Sequence, residues 1–225
     1  MHVQSTVGTD RFTVSKLQSA PPSLTPTRSG STIEFLGIQK GFARNAEIYG
    51  EGEPADYLYK VMSGTVRTYK VRVDGRRQIG GFYGPGDMFG VEVGDEHAFA
   101  AEAVSDCRVL LINRSVVMAR AARDVAVARE LWSMIGHELE RVQDHILLLI
   151  KSAEERVACF LLEMPVSKGN TIELPMSRQD IGEYLGLSLE TVSRTFAHLQ
   201  ASAAIEVHSR QIVLRNRASL KRLNA

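Results

Sequence analysis

Long apolar runs are missing from this chain. No stretch reaches the ~18 apolar residues of a membrane-crossing helix, so no span is expected. Cysteine is scarce: Cys107 and Cys159 are too few for a disulfide framework. Both sit in apolar runs, CRVLLI and VACFLLEM, where the bland role is a small buried hydrophobe and the sharp one a redox switch. The first residues carry no secretory-signal pattern, and the expected location is the cytoplasm. The six histidines form no His-x-x-x-His pair and no Cys/His cluster, so no metal or haem is expected; His137 and His145 are eight apart, on similar faces of one helical stretch. No nucleophile–base set and no glycine-rich phosphate loop appears, which points away from an enzyme. Excess charge is missing too: the net formal charge is only +1.

The charge that is present is unevenly placed. From Pro175 to Ala225 seven Lys/Arg face four acids, a local +3 that leaves −2 for the rest. Such an end suits a local polyanion contact, although a solvated surface explains it equally well.

Composition and periodicity divide the chain into a leader and three regions. Residues 1–31 are rich in Ser, Thr and Pro and read as a flexible leader. Over 32–122 the period is that of strands. YLYKVMSGTVRTYKV alternates apolar and polar residues around Gly64, Asp74-Gly75 reads as a hairpin turn, YGPGD as another turn and CRVLLI as a last strand. Short strands punctuated by glycine predict a small antiparallel barrel or jelly roll. Over 123–150 the period becomes helical. Leu131, Ile135, Leu139, Val142, Ile146 and Leu149 form a seam with a local stutter, which suits a two-fold dimer; one intramolecular helix pair is the alternative. Trp132, Met134, Leu147 and Leu148 lie off that seam and are expected to face the chain's own barrel. Residues 151–225 mix short helices with a final hairpin. Ser152 with Glu155 has the spacing of a capping box.

Within that last region, SRQDIGEYLGLSLETVSRTF carries the most chemistry. Ser177 can cap a helix over Arg178–Leu185, Gly186 permits a sharp turn, and Ser188 can cap a second helix from Leu189 to about Gln200. Two short helices joined by a glycine turn make a helix-turn-helix. In the second, Val192, Phe196 and Leu199 share the inward face; Glu190, Ser193, Arg194 and Ala197 share the outward one. Arginine can donate to O6 and N7 of guanine, glutamate can accept from N4 of cytosine, and serine can bond either way. A carboxylate on a face that meets phosphates is otherwise a cost, so this set points to base reading; a surface Glu190–Arg194 pair is the bland alternative.

LPMSRQDIGEYLGLSLETVSRTF and the long barrel stretch from Tyr57 to Ser105 resemble the Crp/Fnr family of bacterial transcription regulators, its FixK branch most closely, over roughly residues 33–215. The resemblance implies an α+β fold: an N-terminal cyclic-nucleotide-binding-type β-roll (jelly roll), a long dimerisation helix and a C-terminal winged helix-turn-helix. It implies a homodimeric, double-stranded-DNA-binding activator that works with RNA polymerase and recognises TTGAT-N4-ATCAA-like palindromes. Glu190 and Arg194 would read the G·C pair and Ser193 a nearby thymine, with phosphate contacts from Arg178, Thr191, Arg210 and Arg215. Leu189 stands where cyclic-AMP-dependent relatives usually have a second arginine, which favours the Fnr-type site. By analogy with the branch, the targets are genes of low-oxygen respiration, nitrogen fixation or denitrification, and Gly94–Phe99 is the loop that touches the polymerase.

Two departures from family patterns bear on cofactors. Fnr itself holds an iron–sulfur cluster on four cysteines, and two in all exclude such a cluster within one chain. Cyclic-nucleotide-binding relatives have a Phe-Gly-Glu turn and an Arg-Ser or Arg-Thr pair. Here the places read Phe89-Gly90-Val91, with Glu92 one position on, and His97-Ala98. Without the guanidinium the anion loses its partner, so no cofactor is expected and cyclic AMP is not the input. The alternative keeps the DNA site and gives the β-roll an unidentified small effector. A metal-dependent barrel enzyme needs clustered ligands, and the barrel region has only His97.

Overall fold

The computed structural model describes residues 33–223; the leader expected over 1–31 lies outside the described residues. After a 3-10 turn at Glu34–Leu36 come the strands Gly37–Phe42 (β1), Glu47–Tyr49 (β2), Tyr57–Ser63 (β3), Val66–Val71 (β4), Arg77–Tyr83 (β5), Met88–Phe89 (β6), Ala100–Ala103 (β7) and Cys107–Asn113 (β8). They form two antiparallel four-stranded sheets, β1-β8-β3-β6 and β2-β7-β4-β5, which close over Tyr49, Tyr59, Val61, Val66, Phe89 and Val109. This is the β-roll of the expected α+β class. Asp74-Gly75 turns β4 into β5 as the sequence predicts. The alternating stretch around Gly64, however, is split: β3 and β4 lie in opposite sheets. Gly64 makes that crossing at a φ of +83°, and a Cβ there would meet the Asp106 carbonyl oxygen and Cys107.

The helices Arg114–Ala121 (α1), Val125–Leu149 (α2) and Ala153–Glu163 (α3) follow, then the strands Val166–Lys168 (β9) and Thr171–Glu173 (β10). The chain continues through Arg178–Leu185 (α4), Leu189–Ala201 (α5), Ile205–His208 (β11), Gln211–Leu214 (β12) and Arg217–Leu223 (α6). A third antiparallel sheet, β11-β12-β10-β9, backs α4 and α5 as a winged helix-turn-helix around Phe160, Leu161, Ile172, Leu185, Val192 and Phe196. Ser152 and Glu155 form their capping box on α3. Cys107 lies in the core of the roll and Cys159 in that of the winged domain. Burial pushes both thiols up, the direction of inert structural cysteines.

Helix α2 corrects the sequence reading in one respect. Its inward stripe runs through Val127, Leu131, Met134, Glu138, Arg141, His145 and Leu148. Val127, Leu131 and Met134 pack with Ile33, Leu58 and Val117, and Leu148 enters the winged-domain core. Between them Arg141 lies over the Tyr83 ring at 3.9 Å, donates from Nη1 to the Phe82 carbonyl at 3.0 Å and pairs with Glu138. Met134 thus faces the chain's own barrel as expected, whereas Leu148 packs in the winged-domain core instead, and Trp132 and Leu147 are exposed, at 79% and 57%. The inward stripe already fills its side of the helix, and one residue's offset of about 100° turns these two away. His137 is exposed and His145 half-buried, so they do not share a face. Of the seam, Leu131 and Leu149 are half-buried, while Ile135, Leu139, Val142 and Ile146 are 47–58% exposed.

Gly64→Ala should lower the free energy of unfolding by about 2–5 kcal/mol, combining left-handed backbone strain with overpacking. Urea unfolding measures it; Gly75→Ala, with no atom near its would-be Cβ, should cost less.

Candidate nucleic-acid interface

The reading motif is built by caps and glycines. The Ser177 hydroxyl accepts from the Asp180 N–H at 3.1 Å, and the Asp180 carboxylate accepts from the Ser177 N–H at 2.9 Å, closing a capping box on α4. At the other end Gly186 adopts a φ of +65°, and Leu187 donates its N–H to the Gly182 carbonyl at 2.9 Å. Gly182 is as necessary as Gly186, since a Cβ there would lie 2.6 Å from the Leu187 carbonyl oxygen. The Ser188 hydroxyl then caps α5 by accepting from the Thr191 N–H at 3.1 Å.

Val192, Phe196 and Leu199 are buried, so the opposite side of α5 faces solvent as its periodicity predicts. There Glu190, Arg194 and Ala197 are exposed and Ser193 is half-buried. Hydrogen bonds from the first-turn N–H and from Ser188 hold the Glu190 carboxyl below its usual value, so it stays ionised; the nearby Arg194 charge adds to this. Glu190 and Arg194 are nevertheless not among the ion pairs of the described residues, so the surface-pair alternative is not formed. The outward face therefore offers a carboxylate, a hydroxyl and a guanidinium side by side.

Cations flank it unevenly. Arg178 rests over the Phe196 ring at 5.0 Å, which holds it at the start of α4. Arg178 and Arg210, the latter at the tip of the β11–β12 wing, line one groove of about 220 Å³ together with Ser177 and Ser209. The same groove takes in Arg44, from the loop between β1 and β2 of the roll. Sequence reasoning missed Arg44 because nothing in its own stretch marks it; only the fold brings it to Arg178. The Thr191 hydroxyl shares a hydrogen bond of 3.0 Å with Ser188. Arg215 stands apart: its Nε donates to Glu206 at 2.7 Å and its Nη2 bonds the same carboxylate, so its charge is already matched.

The interior of the β-roll is a different kind of place. His97, at the position of the expected phosphate-gripping pair, is buried and stacked on Tyr49 with ring centroids 3.6 Å apart. Tyr59 and Phe89 pack against the same rings. Among the described residues neither His97 ring nitrogen has a hydrogen-bond partner; the Glu92 carboxylate stands 3.6 Å from Nδ1 and accepts instead from the Ala98 N–H. Burial holds the His97 imidazole below its usual value, so the ring is neutral at pH 7. A cyclic nucleotide phosphate would meet aromatic faces, a neutral imidazole and a carboxylate. These residues do not fit that ligand.

Comparison with known proteins came to the same two halves. A Crp-like helix-turn-helix domain family matches residues 155–223 and a cyclic nucleotide-binding domain family matches residues 39–124. The chain is 45% identical over 207 residues to the nitrogen fixation regulation protein FixK of Azorhizobium caulinodans, across 88% of this chain and 84% of that one. To the fumarate and nitrate reduction regulatory protein of Vibrio cholerae it is 32% identical, across 90% and 85%. Among solved structures, FixK2 from Bradyrhizobium japonicum superposes with a TM-score of 0.80 at 51% identity, over 84% of this chain and 98% of that one.

Two outcomes are expected from the barrel interior. Titration calorimetry with cyclic AMP or cyclic GMP should give no binding heat. Stability should also fall as pH drops below about 6.5, because the unfolded chain takes up a proton that buried His97 resists. His97→Phe should flatten that slope between pH 7 and 5 by up to about 1.4 kcal/mol per pH unit, read from urea unfolding.

Proposed function

The chain belongs to the Crp/Fnr family of transcription regulators, and from that premise we propose that it reads TTGAT-N4-ATCAA-like palindromes as a homodimer. The observation that carries this reading is the outward face of α5, where Arg194 makes no ion pair among the described residues and stands beside ionised Glu190. Arg194 donates to guanine O6 and N7, Glu190 accepts from cytosine N4 of the same pair, and Ser193 meets a neighbouring thymine. Arg178, Arg210 and Thr191 hold the phosphates and fix register, with Arg44 extending the contact from the roll. Arg215 joins only by exchanging Glu206 for a phosphate.

The dimer forms along α2. Its middle presents Ile135, Leu139, Val142 and Ile146 in steps of 4, 3 and 4, a coiled-coil seam whose apolar area has no partner within the described chain. Two such copies place their recognition helices in successive major grooves, about 34–36 Å apart. The names of relatives for nitrogen fixation regulation and for fumarate and nitrate reduction support targets among genes of nitrogen fixation and low-oxygen respiration. At those promoters the protein acts as an activator, with RNA polymerase as its partner. The filled barrel favours action without a diffusible nucleotide.

Fluorescence anisotropy with the palindrome and a scrambled duplex tests the reading. Arg194→Ala should cost about 1–3 kcal/mol and relax preference at the G·C pair; unchanged selectivity removes the base-reading role. Arg210→Ala should weaken all sequences alike and reduce the salt slope by about one unit. Ile146→Asp should convert the dimer to monomer in sedimentation and lower palindrome affinity far more than half-site affinity.

A further inference from the structure

One buried carboxylate joins the two halves of the chain. Asp180 is only 5% exposed although it lies in the first turn of α4. Its Oδ2 accepts from the Ser177 N–H at 2.9 Å and the Ser177 hydroxyl at 2.8 Å. Its Oδ1 accepts from two arginines of the roll, Arg67 Nη1 at 2.8 Å and Arg77 Nη2 at 2.6 Å. Arg67, on β4, is itself buried and donates from Nη2 to Glu102, its register partner on β7, at 2.7 Å. Arg77, on β5, donates from Nε to the Glu183 carboxylate at 2.7 Å, and Gln78 donates from Nε2 to the Glu183 carbonyl at 2.7 Å. Four hydrogen bonds thus cross from the β4–β5 hairpin to α4.

The hairpin is in turn fixed to α2, through Arg141 on the Phe82 carbonyl and the Tyr83 ring. Contacts therefore run without a break from the dimer seam on α2, through β5, to α4 and so to α5. The covalent route from α2 into the winged domain passes through the short link at Ile150–Ser152, beside which Leu148 in the winged-domain core and Phe82 against Phe160 and Tyr184 make non-directional apolar contacts. His145 against Tyr184, ring centroids 4.3 Å apart, is a second and softer contact between α2 and α4.

We propose that Arg67, Arg77 and Asp180 are positioning residues that set the distance and angle between the two recognition helices, and so select the spacer between DNA half-sites. The proposal rests on the dimeric DNA reading above. Changing a spacer by one base pair shifts a half-site by about 3.4 Å and turns it by about 35°, displacements a clasped domain resists and a swinging one follows. None of the three touches the outward face of α5, so half-site reading is separable from spacing. Asp180 is left unsubstituted in the test because it also caps α4.

The experiment compares wild type with Arg67→Gln/Arg77→Gln on TTGAT-Nn-ATCAA duplexes with spacers of three to six bases, and on a single TTGAT half-site against its scramble. Wild type should favour the four-base spacer over the others at least tenfold; in the double variant that ratio should drop at least fivefold, with half-site preference unchanged. Arg77→Gln alone, which keeps the buried Arg67–Asp180 bond, should give a smaller drop and serves if the double variant fails a thermal melt. Arg77→Lys, retaining the charge, should recover part of the ratio. A folded variant of either kind with the wild-type spacer ratio overturns the proposal. Wild type that ignores the half-site sequence overturns the DNA reading itself, and the clasp's role with it.

Discussion

The carboxylate of Asp180 is asked to do two things at once, and most of the molecule's geometry follows from that. It begins the first helix of the reading motif by bonding Ser177, and it ends the β4–β5 hairpin by neutralising Arg67 and Arg77. Such a buried cluster is not a source of great net stability, because taking charges out of water costs about what the pairing returns. Its force lies in asymmetry. A shift that leaves Asp180 or Arg67 buried without its partner would cost about 3–5 kcal/mol, which favours the one pose in which all of them are matched. A capping aspartate thereby becomes a constraint on how two domains face each other.

The interior of the roll shows the complementary change. Tyr49, Tyr59, Phe89 and His97 pack on one another inside the roll; the tilted and offset pairs Tyr49–Tyr59 and Tyr59–Phe89 are worth about 0.5–1.5 kcal/mol each beyond the area they bury, and His97 stacks face to face on Tyr49. Arg141 joins helix to sheet with no third party. The roll and the clasp thus join helix, sheet and winged domain through side chains alone.

Local features were legible in the sequence to the degree that they are locally caused. Ser152 with Glu155, Ser177, Ser188 and Asp74-Gly75 act within a few residues of themselves, and each performs its expected part. The two faces of α5 follow from helical period alone. The orientation of α2 did not, because its inward stripe is apolar only at its ends; Glu138, Arg141 and His145 occupy the middle and read as solvated. Arg44 and Asp180 were hidden for a related reason. Each looks ordinary beside its neighbours, and its significance comes from residues more than a hundred positions away, Arg178 for one and Arg67 and Arg77 for the other.

The polar middle of α2 also fixes which side of the helix turns outward. An all-apolar inward stripe would make the helix greasy on both sides, with nothing to say which side packs on the chain's own body and which is left for the proposed second copy. Arg141 removes that ambiguity. Its guanidinium takes the Phe82 carbonyl and the Tyr83 face from the chain's own β5, with Glu138 beside it on α2. Gly81 leaves the space, since a Cβ there would lie 2.6 Å from the Arg141 Nη2. A half-buried charged group held against its own sheet therefore dictates rotation about the helix axis, and Ile135, Leu139, Val142 and Ile146 are left outward as a consequence.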